Sequence, residues 1–196
     1  MLKKIFEFAK SKGMFEVKEI RNLDKSCCDV ELKVIDFDKF KIKICSPAKQ
    51  SRKSCDCLKL CGSIDFIEMK SIKNICKHND SVKAKNVVEK FDLETKITDS
   101  LWLFDYLIGY EDLKPKSAIK KTFLQIEKNY FVVGEGEGLE RIVFAFNAVA
   151  LEEEKKIVDT IKIKLNEIKE SRINKPKYMT CEDLVKHYRK KGSCQC

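Results

Sequence analysis

The sequence predicts an α/β protein in which helices flank a central mixed β-sheet that contains an antiparallel meander. Three observations support this class. Apolar residues alternate in the first third of the chain and recur at helical spacing near both ends. The middle of the chain contains both strand-like alternation and helical spacing. The chain has 196 residues and no Pro/Gly-rich linker. We therefore expect one domain over residues 1–178, followed by a basic C-terminal helix and tail over 179–196.

The first third is predicted to be an opening helix followed by four strands. Apolar positions 2, 5, 6 and 9 share one face of a helix that ends near Gly13. Alternation on either side of a turn at 36–39, from 30 to 34 and from 40 to 44, predicts a β-hairpin. Strands over 55–61 and 64–71 would complete a four-stranded meander.

The second half predicts helices that cover this sheet. Helices are expected over 82–94 and 99–110, the second capped by Thr98 or Asp99. A further helix carries Ile157, Ile161, Leu165 and Ile168 on one face, and a last helix begins at Thr180 with Asp183 in an imperfect capping box.

Two more short strands are predicted on either side of a glycine-rich loop. The strands cover 131–133 and 142–146, and the loop covers 134–138. Glu135 and Glu137 would repel phosphate, and no Gly-Lys-Ser/Thr follows. We therefore expect a hairpin loop here rather than a nucleotide-binding loop.

Charge and hydropathy restrict the partners. The formal net charge of +9 favours an anionic partner, most commonly nucleic acid, although a lysine-rich composition also arises without one. The most apolar stretch, 101–110, is interrupted by Asp105, and the first ten residues interleave charged and apolar positions. We expect a cytoplasmic protein with no membrane partner.

The most informative segment lies around the turn at Gly62 and Ser63. Glu68 and Lys70 are two residues apart on one strand and therefore project from the same face, while Asp56 lies on the strand before it. Ionisable groups on a sheet are costly unless they compensate one another or bind a metal. Two carboxylates that hold Mg²⁺, with a lysine beside them, suit phosphodiester hydrolysis.

The turn must have a particular length for these residues to meet. A two-residue turn would put Asp56 opposite Met69, on the wrong face. A three-residue or bulged turn with Cys61 opposite Asp65 would instead place Asp56 against Lys70. The hypothesis therefore requires the longer turn.

At these residues the sequence resembles the PD-(D/E)xK superfamily of nucleases, which has the restriction-endonuclease-like fold. The match consists of Asp56 followed by Glu68-Met69-Lys70, with Cys55 where the family motif has proline. The resemblance implies that Asp56, Glu68 and Lys70 are catalytic, that Asp56 and Glu68 bind Mg²⁺ or Mn²⁺, and that DNA is a more common substrate than RNA. It implies a role in repair, restriction or defence, with a homodimer as one possible form.

Two further sets of residues extend this hypothesis. Many family members add a glutamate from a preceding helix, for which Glu7, Glu16 and Glu19 are the candidates. A basic loop before Asp56 offers contacts to a nucleic-acid backbone, although such runs are often simply solvated: Lys49, Arg52 and Lys53.

Two other functions stay open. The first is a non-catalytic nucleic-acid or protein interaction module on the same fold. The second is a Zn or iron–sulfur site: the chain has ten cysteines, and its first residues contain no apolar run of signal-peptide length, so we expect reduced thiols or a metal rather than a disulfide framework. Its candidate ligands lack a paired Cys-x-x-Cys, so a structural role is the leading alternative for them: Cys55, Cys57, Cys61, Cys76 and His78.

Overall fold

Helices and strands alternate along the chain. The computed structural model describes residues 2–24, 26–48, 51–77, 84–109, 121, 123–135 and 148–192. In these ranges the elements are α1 (Leu2–Ser11), β1 (Val17–Glu19), a 3-10 turn (Ile20–Asn22), β2 (Lys33–Asp36), α2 (Phe37–Ala48), β3 (Cys57–Leu60), β4 (Ile64–Lys70), α3 (Ile72–Lys77), α4 (Ala84–Phe91), α5 (Leu93–Ile108), β5 (Lys128–Gly134), α6 (Ala148–Glu167), β6 (Lys177–Thr180) and α7 (Cys181–Lys191).

The strands form one six-stranded sheet in the order β1-β2-β3-β4-β5-β6. Neighbours from β1 to β4 are antiparallel, whereas β5 lies parallel to β4 and β6 lies parallel to β5. A parallel neighbour needs a long crossover, and the helices between β4 and β5 and between β5 and β6 fill these connections. The predicted mixed sheet with an antiparallel meander and flanking helices is confirmed.

The predicted hairpin over 30–44 is wrong in its second arm, which belongs to helix α2. Phe40 and Ile44 are buried on this helix, whereas Ile42 between them is 61% exposed. Residues four apart share a face in both a strand and a helix, so the alternation did not distinguish the two. The fourth strand of the meander is β1, which pairs with β2.

Several other predicted elements are present, but β2 begins at Lys33 rather than near residue 30, and α3 and β6 were not predicted. The predicted strands over 55–61 and 64–71 correspond to β3 and β4, and the opening helix, the strand at 131–133 and the last two helices are all present. Helix α5 begins at Leu93 rather than near Asp99. The residue before it, Asp92, has a left-handed backbone conformation with a φ of 51°, which separates α5 from α4. The predicted strand at 142–146 and most of the glycine-rich loop lie outside the described residues.

Both faces of the sheet are buried. Helices α1, α2, α5 and α6 cover the first face, where they pack on Leu58, Phe66 and Tyr130. Helix α7 and the 3-10 turn cover the second face, where they pack on Ile67 and Phe131. Neighbouring residues of a strand therefore contact different layers. Among the described helices, none is both long enough and apolar enough to cross a membrane.

Candidate active site

The turn between β3 and β4 brings Asp56, Glu68 and Lys70 to the first face. Leu60 pairs with Ile64, so the turn has the three residues that the hypothesis requires, and Gly62 within it has a φ of 71°. The predicted pairing of Cys61 with Asp65 is wrong, because Asp65 pairs with Lys59. This register differs by two residues, which preserves the face and sets Asp56 beside Glu68 rather than opposite Lys70.

Asp56 is fixed at the point where β3 begins. One of its carboxylate oxygens, Oδ2, accepts a hydrogen bond of 2.6 Å from the backbone N–H of Met69 on β4. Its backbone carbonyl accepts a hydrogen bond from the N–H of Phe37, at the start of α2. The acidic side chain is therefore held between two strands and a helix.

Glu68 is the centre of the site. Its side chain is 0% exposed, and its Oε1 accepts hydrogen bonds from Lys70 Nζ and, at 2.5 Å, from Lys96 Nζ of α5. Its other oxygen, Oε2, is buried and has no hydrogen-bond partner among the residues that the structure describes. An unsatisfied buried carboxylate oxygen is costly, so a bound cation or water is expected here.

The electrostatics of the two acids agree with a cation site. Burial raises the pKa of Glu68, and the charge of Asp56 raises it further. Burial also raises the pKa of Asp56, although the neighbouring Lys96 opposes this effect. Burial works to lower the pKa of Lys96, but Glu68 and Asp56 together raise it above its usual value. Two carboxylates whose ionised forms are disfavoured gain from a nearby positive charge.

Two residues of this constellation were missed by the sequence analysis. Lys96 lies four residues into α5 and reaches Glu68 across the layers. Asp38 lies in the first turn of α2, where it accepts hydrogen bonds of 2.7 Å from Ser54 Oγ and from Lys41 Nζ. Burial disfavours the ionised form of Asp38, but these hydrogen bonds hold its pKa below the usual value, and its charge helps to raise the pKa of Asp56. Asp38 fell in the predicted hairpin turn over 36–39, and Lys96 fell between the predicted helices over 82–94 and 99–110.

The three glutamates proposed to complete the site form ion pairs elsewhere. Glu7 pairs with Lys3 on α1, Glu16 pairs with Lys18 and Lys39, and Glu19 pairs with Arg21. Of the described acids, Asp38 is the one whose position on a helix beside Asp56 suits an added carboxylate.

The described part of the basic loop is bound to helix α5. Arg52 donates to Asp99 at 2.9 Å and lies 4.3 Å from the centre of the Trp102 ring. Lys53 pairs with Asp92 through its side chain and with Asp99 through its backbone N–H. Lys49 lies outside the described residues. These contacts position the segment that leads into Asp56 and partly neutralise the positive charges of Arg52 and Lys53.

The alternative metal site of cysteines and His78 around residues 55–78 is not assembled among the described residues. Cys55 packs in the first core and Cys57 packs in the second. Residues two apart in a strand would share a face, but Cys55 lies before β3, which begins at Cys57, so the two side chains point to different layers. Cys61 is in a disulfide, and His78 lies outside the described residues. A different cluster forms where Cys28 and Cys181 are disulfide-bonded beside Cys27, so the expectation of reduced thiols is wrong for this pair.

The oxygen donors on the first face suit a hard divalent cation. Asp56 and Glu68 supply carboxylates, and the buried Oε2 of Glu68 is an acceptor without a partner in the described ranges. Mg²⁺ and Mn²⁺ prefer such oxygen ligands. No family model, curated protein or solved structure matches this chain. Only the chemistry of the site therefore bears on function.

Proposed function

We propose that this protein is a divalent-metal-dependent nuclease that hydrolyses the phosphodiester bonds of DNA. The observation that carries the proposal is the convergence of Asp56 and Glu68, two carboxylates with raised pKa values, beside the ammonium groups of Lys70 and Lys96. Groups whose pKa values are shifted by burial together with a charged neighbour are found most often at functional sites. The arrangement supports an acid pair that holds Mg²⁺ or Mn²⁺.

Each residue has a separate role in this mechanism. Asp56 and Glu68 would hold the cation, and Asp38 adds negative charge beside them. When bound, Mg²⁺ supplies Lewis-acid activation of the phosphoryl oxygen and of an attacking water. Lys70 Nζ, which donates to Glu68 in the described structure, would orient the water by a hydrogen bond. Lys96 Nζ would offset the negative charge that develops on the phosphate oxygens.

The surrounding fold supports the same assignment at a finer level. The acid of β3 and the Glu-x-Lys of β4 lie on adjacent antiparallel strands of a mixed sheet that helices cover on both faces. On this basis we propose that the domain has the restriction-endonuclease-like fold. The cellular role we propose is repair, restriction or defence inside the cell, with a homodimer for cleavage of both strands.

One observation favours a non-catalytic module as the second candidate. Glu68 Oε1 already accepts hydrogen bonds from two lysines, so part of its charge is neutralised without a metal. A protein that keeps this network only for stability would bind nucleic acid through its net charge of +9 and would not cut it.

Cleavage assays distinguish the nuclease from the non-catalytic module. Plasmid and single-stranded DNA are incubated with Mg²⁺, Mn²⁺ or EDTA and with wild type, Glu68→Gln, Lys70→Ala or Lys90→Ala, the last a control at an exposed lysine of α4. We expect metal-dependent cleavage by wild type and by the control, and a loss of at least about a hundredfold in both site variants. Binding that resists EDTA without cleavage supports the module, and neither binding nor cleavage contradicts both candidates.

A further inference from the structure

Three cysteines meet on the second face of the sheet, away from the acid pair. Cys27 and Cys28 lie before β2, and Cys181 is the first residue of α7. Cys28 and Cys181 are disulfide-bonded across a sequence separation of 153 residues, and the three Sγ atoms all lie within 4.8 Å of one another. The three sulfur atoms are close enough to one another to serve as ligands of a single metal ion once the disulfide is reduced.

The start of a helix favours negative charge on Cys181, whereas burial raises the pKa of the Cys27 thiol to about 12 and the charge of Glu135 adds to this effect. Cys181 occupies the N-terminus of a helix of eleven residues, where the backbone dipole stabilises a thiolate. Thr180 caps this helix by accepting a hydrogen bond from the N–H of Asp183. Cys27 Sγ donates to the carbonyl oxygen of Val133 on β5, and Cys181 Sγ lies 3.3 Å from the carbonyl oxygen of Gly134.

We propose that Cys27, Cys28 and Cys181 form a thiolate site for Zn²⁺ when the disulfide between Cys28 and Cys181 is reduced. Thiolate sulfur selects Zn²⁺ over the hard cations that suit the carboxylates of the first face. Zn–S bonds of about 2.3 Å in a tetrahedron separate the sulfur atoms by about 3.8 Å. After reduction the sulfur atoms of Cys28 and Cys181 would have to separate to this spacing, while that of Cys27, within 4.8 Å of both, would approach by at most about an ångström.

Conversion of the disulfide form to the zinc form takes a reduction step and then a metal-binding step. A dithiol reductant transfers two electrons and two protons to the disulfide, giving the thiols of Cys28 and Cys181 and the cyclic disulfide of the reductant. Zn²⁺ then displaces three protons from the three thiols, and the resulting site carries one net negative charge. A water or an added thiol takes the fourth position, as in zinc sites with three protein ligands.

Each form would tie α7 to the segment before β2, but with different chemistry. The disulfide joins Cys28 to Cys181 and leaves Cys27 as a thiol, while the zinc form uses all three. Cys27 takes no part in the disulfide bond itself, and in that form its thiol donates a hydrogen bond to Val133, whereas the zinc form would use it as the third ligand. The site thus responds to both the redox state and the zinc supply.

Cobalt substitution tests the proposal, because Co²⁺ bound to thiolates gives a charge-transfer absorption that carboxylates do not give. The full chain is reduced, freed of reductant without oxygen and titrated with Co²⁺, then with Zn²⁺. Cys27→Ser is the main variant, since it keeps the Cys28–Cys181 pair. Cys45→Ser, in α2 and outside the cluster, is the control.

We expect a thiolate–cobalt band at one equivalent that Zn²⁺ abolishes, unchanged in Cys45→Ser and weakened at least about tenfold in affinity in Cys27→Ser. Oxidised protein should give no band. A reduced wild type without the band, or a Cys27→Ser variant that retains it, would overturn the proposal. Neither result depends on cleavage of DNA, so the zinc site and the nuclease can fail separately.

Discussion

Lys96 on helix α5 donates a 2.5 Å hydrogen bond to Glu68 Oε1 on strand β4, at the place where the helical layer covers the sheet. The glutamate is 0% exposed and the lysine side chain is 21% exposed, so this ion pair is largely shielded from water. A charge pair in such a place stabilises the fold only while both partners are present. It also connects the proposed active site to the stability of the whole domain.

Lys96→Met should destabilise the protein. The substitution leaves Glu68 with Lys70 as its remaining cationic partner among the described residues, and we expect the free energy of unfolding to fall by about 1–3 kcal/mol. Urea unfolding at pH 7 measures the change. Lys90→Met, at an exposed position of α4, should change it by less than about 0.5 kcal/mol. Equal effects of the two substitutions would argue against a buried ion pair.

Asp56→Asn should separate metal binding from folding. The amide oxygen can still accept the hydrogen bond from Met69 N–H, and the variant removes the charge that raises the pKa of Glu68. Without metal we expect unchanged or increased thermal stability. Mn²⁺ at about a hundred times its dissociation constant should stabilise wild type by about 2.7 kcal/mol and the variant by much less. Thermal denaturation with and without Mn²⁺ tests this, and equal stabilisation of both proteins would place the metal elsewhere.

Removal of the hydroxyl group should lower the free energy of unfolding at one buried tyrosine, Tyr188, and not at another, Tyr130. Tyr188 of α7 donates a 2.8 Å hydrogen bond to Asp65, which is fully buried on the second face. Tyr130 OH is buried without a hydrogen-bond partner within the described ranges. Tyr188→Phe should therefore cost about 1–3 kcal/mol, while Tyr130→Phe should be neutral or stabilising. Chemical denaturation of both variants measures the difference, and a larger loss for Tyr130→Phe would contradict it.

Gly134 lacks a side chain because Tyr178 occupies the space above it. A Cβ built at Gly134 would overlap the Tyr178 hydroxyl group and would lie 3.2 Å from Cζ of its ring. Gly134→Ala should destabilise the protein by about 1–3 kcal/mol through overpacking. In a Tyr178→Ala background the same change should cost less than about 1 kcal/mol. A double-mutant cycle of unfolding free energies tests this coupling, and additive effects would exclude the overlap.

His187 should make the domain sensitive to mild acid. Burial lowers its pKa below the usual 6.5, and Lys191 and Lys177 lower it further, while Asp65 and Glu127 oppose them. The unfolded chain then binds the proton more readily, so the stabilisation is complete above pH 6.5 and is lost as the pH falls below it.

The comparison of pH 7.5 with pH 5.5 reveals this effect. Wild type should lose more unfolding free energy over this interval than His187→Gln. Asp56 and Glu68, whose pKa values are raised, act in the opposite direction at lower pH, but both are present in each protein. A loss of the same size in the variant would show that His187 is not the group responsible.

The sequence by itself determined the strands that carry the candidate site. The alternation of β4 set Glu68 and Lys70 on one face, whereas the sequence left the length of the turn open and Asp56 joins that face only because the structure has three residues between Leu60 and Ile64. The helix pattern likewise located α1, α6 and the capped start of α7, because the spacing of apolar residues and local hydrogen bonds depends on nearby residues.

The tertiary structure alone decided the rest of the site, because those contacts join residues that are distant in sequence. Lys96 meets Glu68 only through the packing of α5 on the sheet, and Cys181 meets Cys28 across 153 residues. Residues 40–44 fit either a strand or a helix locally, and burial of Phe40 and Ile44 against the first face selected the helix. Local periodicity specifies which way a side chain points, whereas its partner depends on how the layers pack.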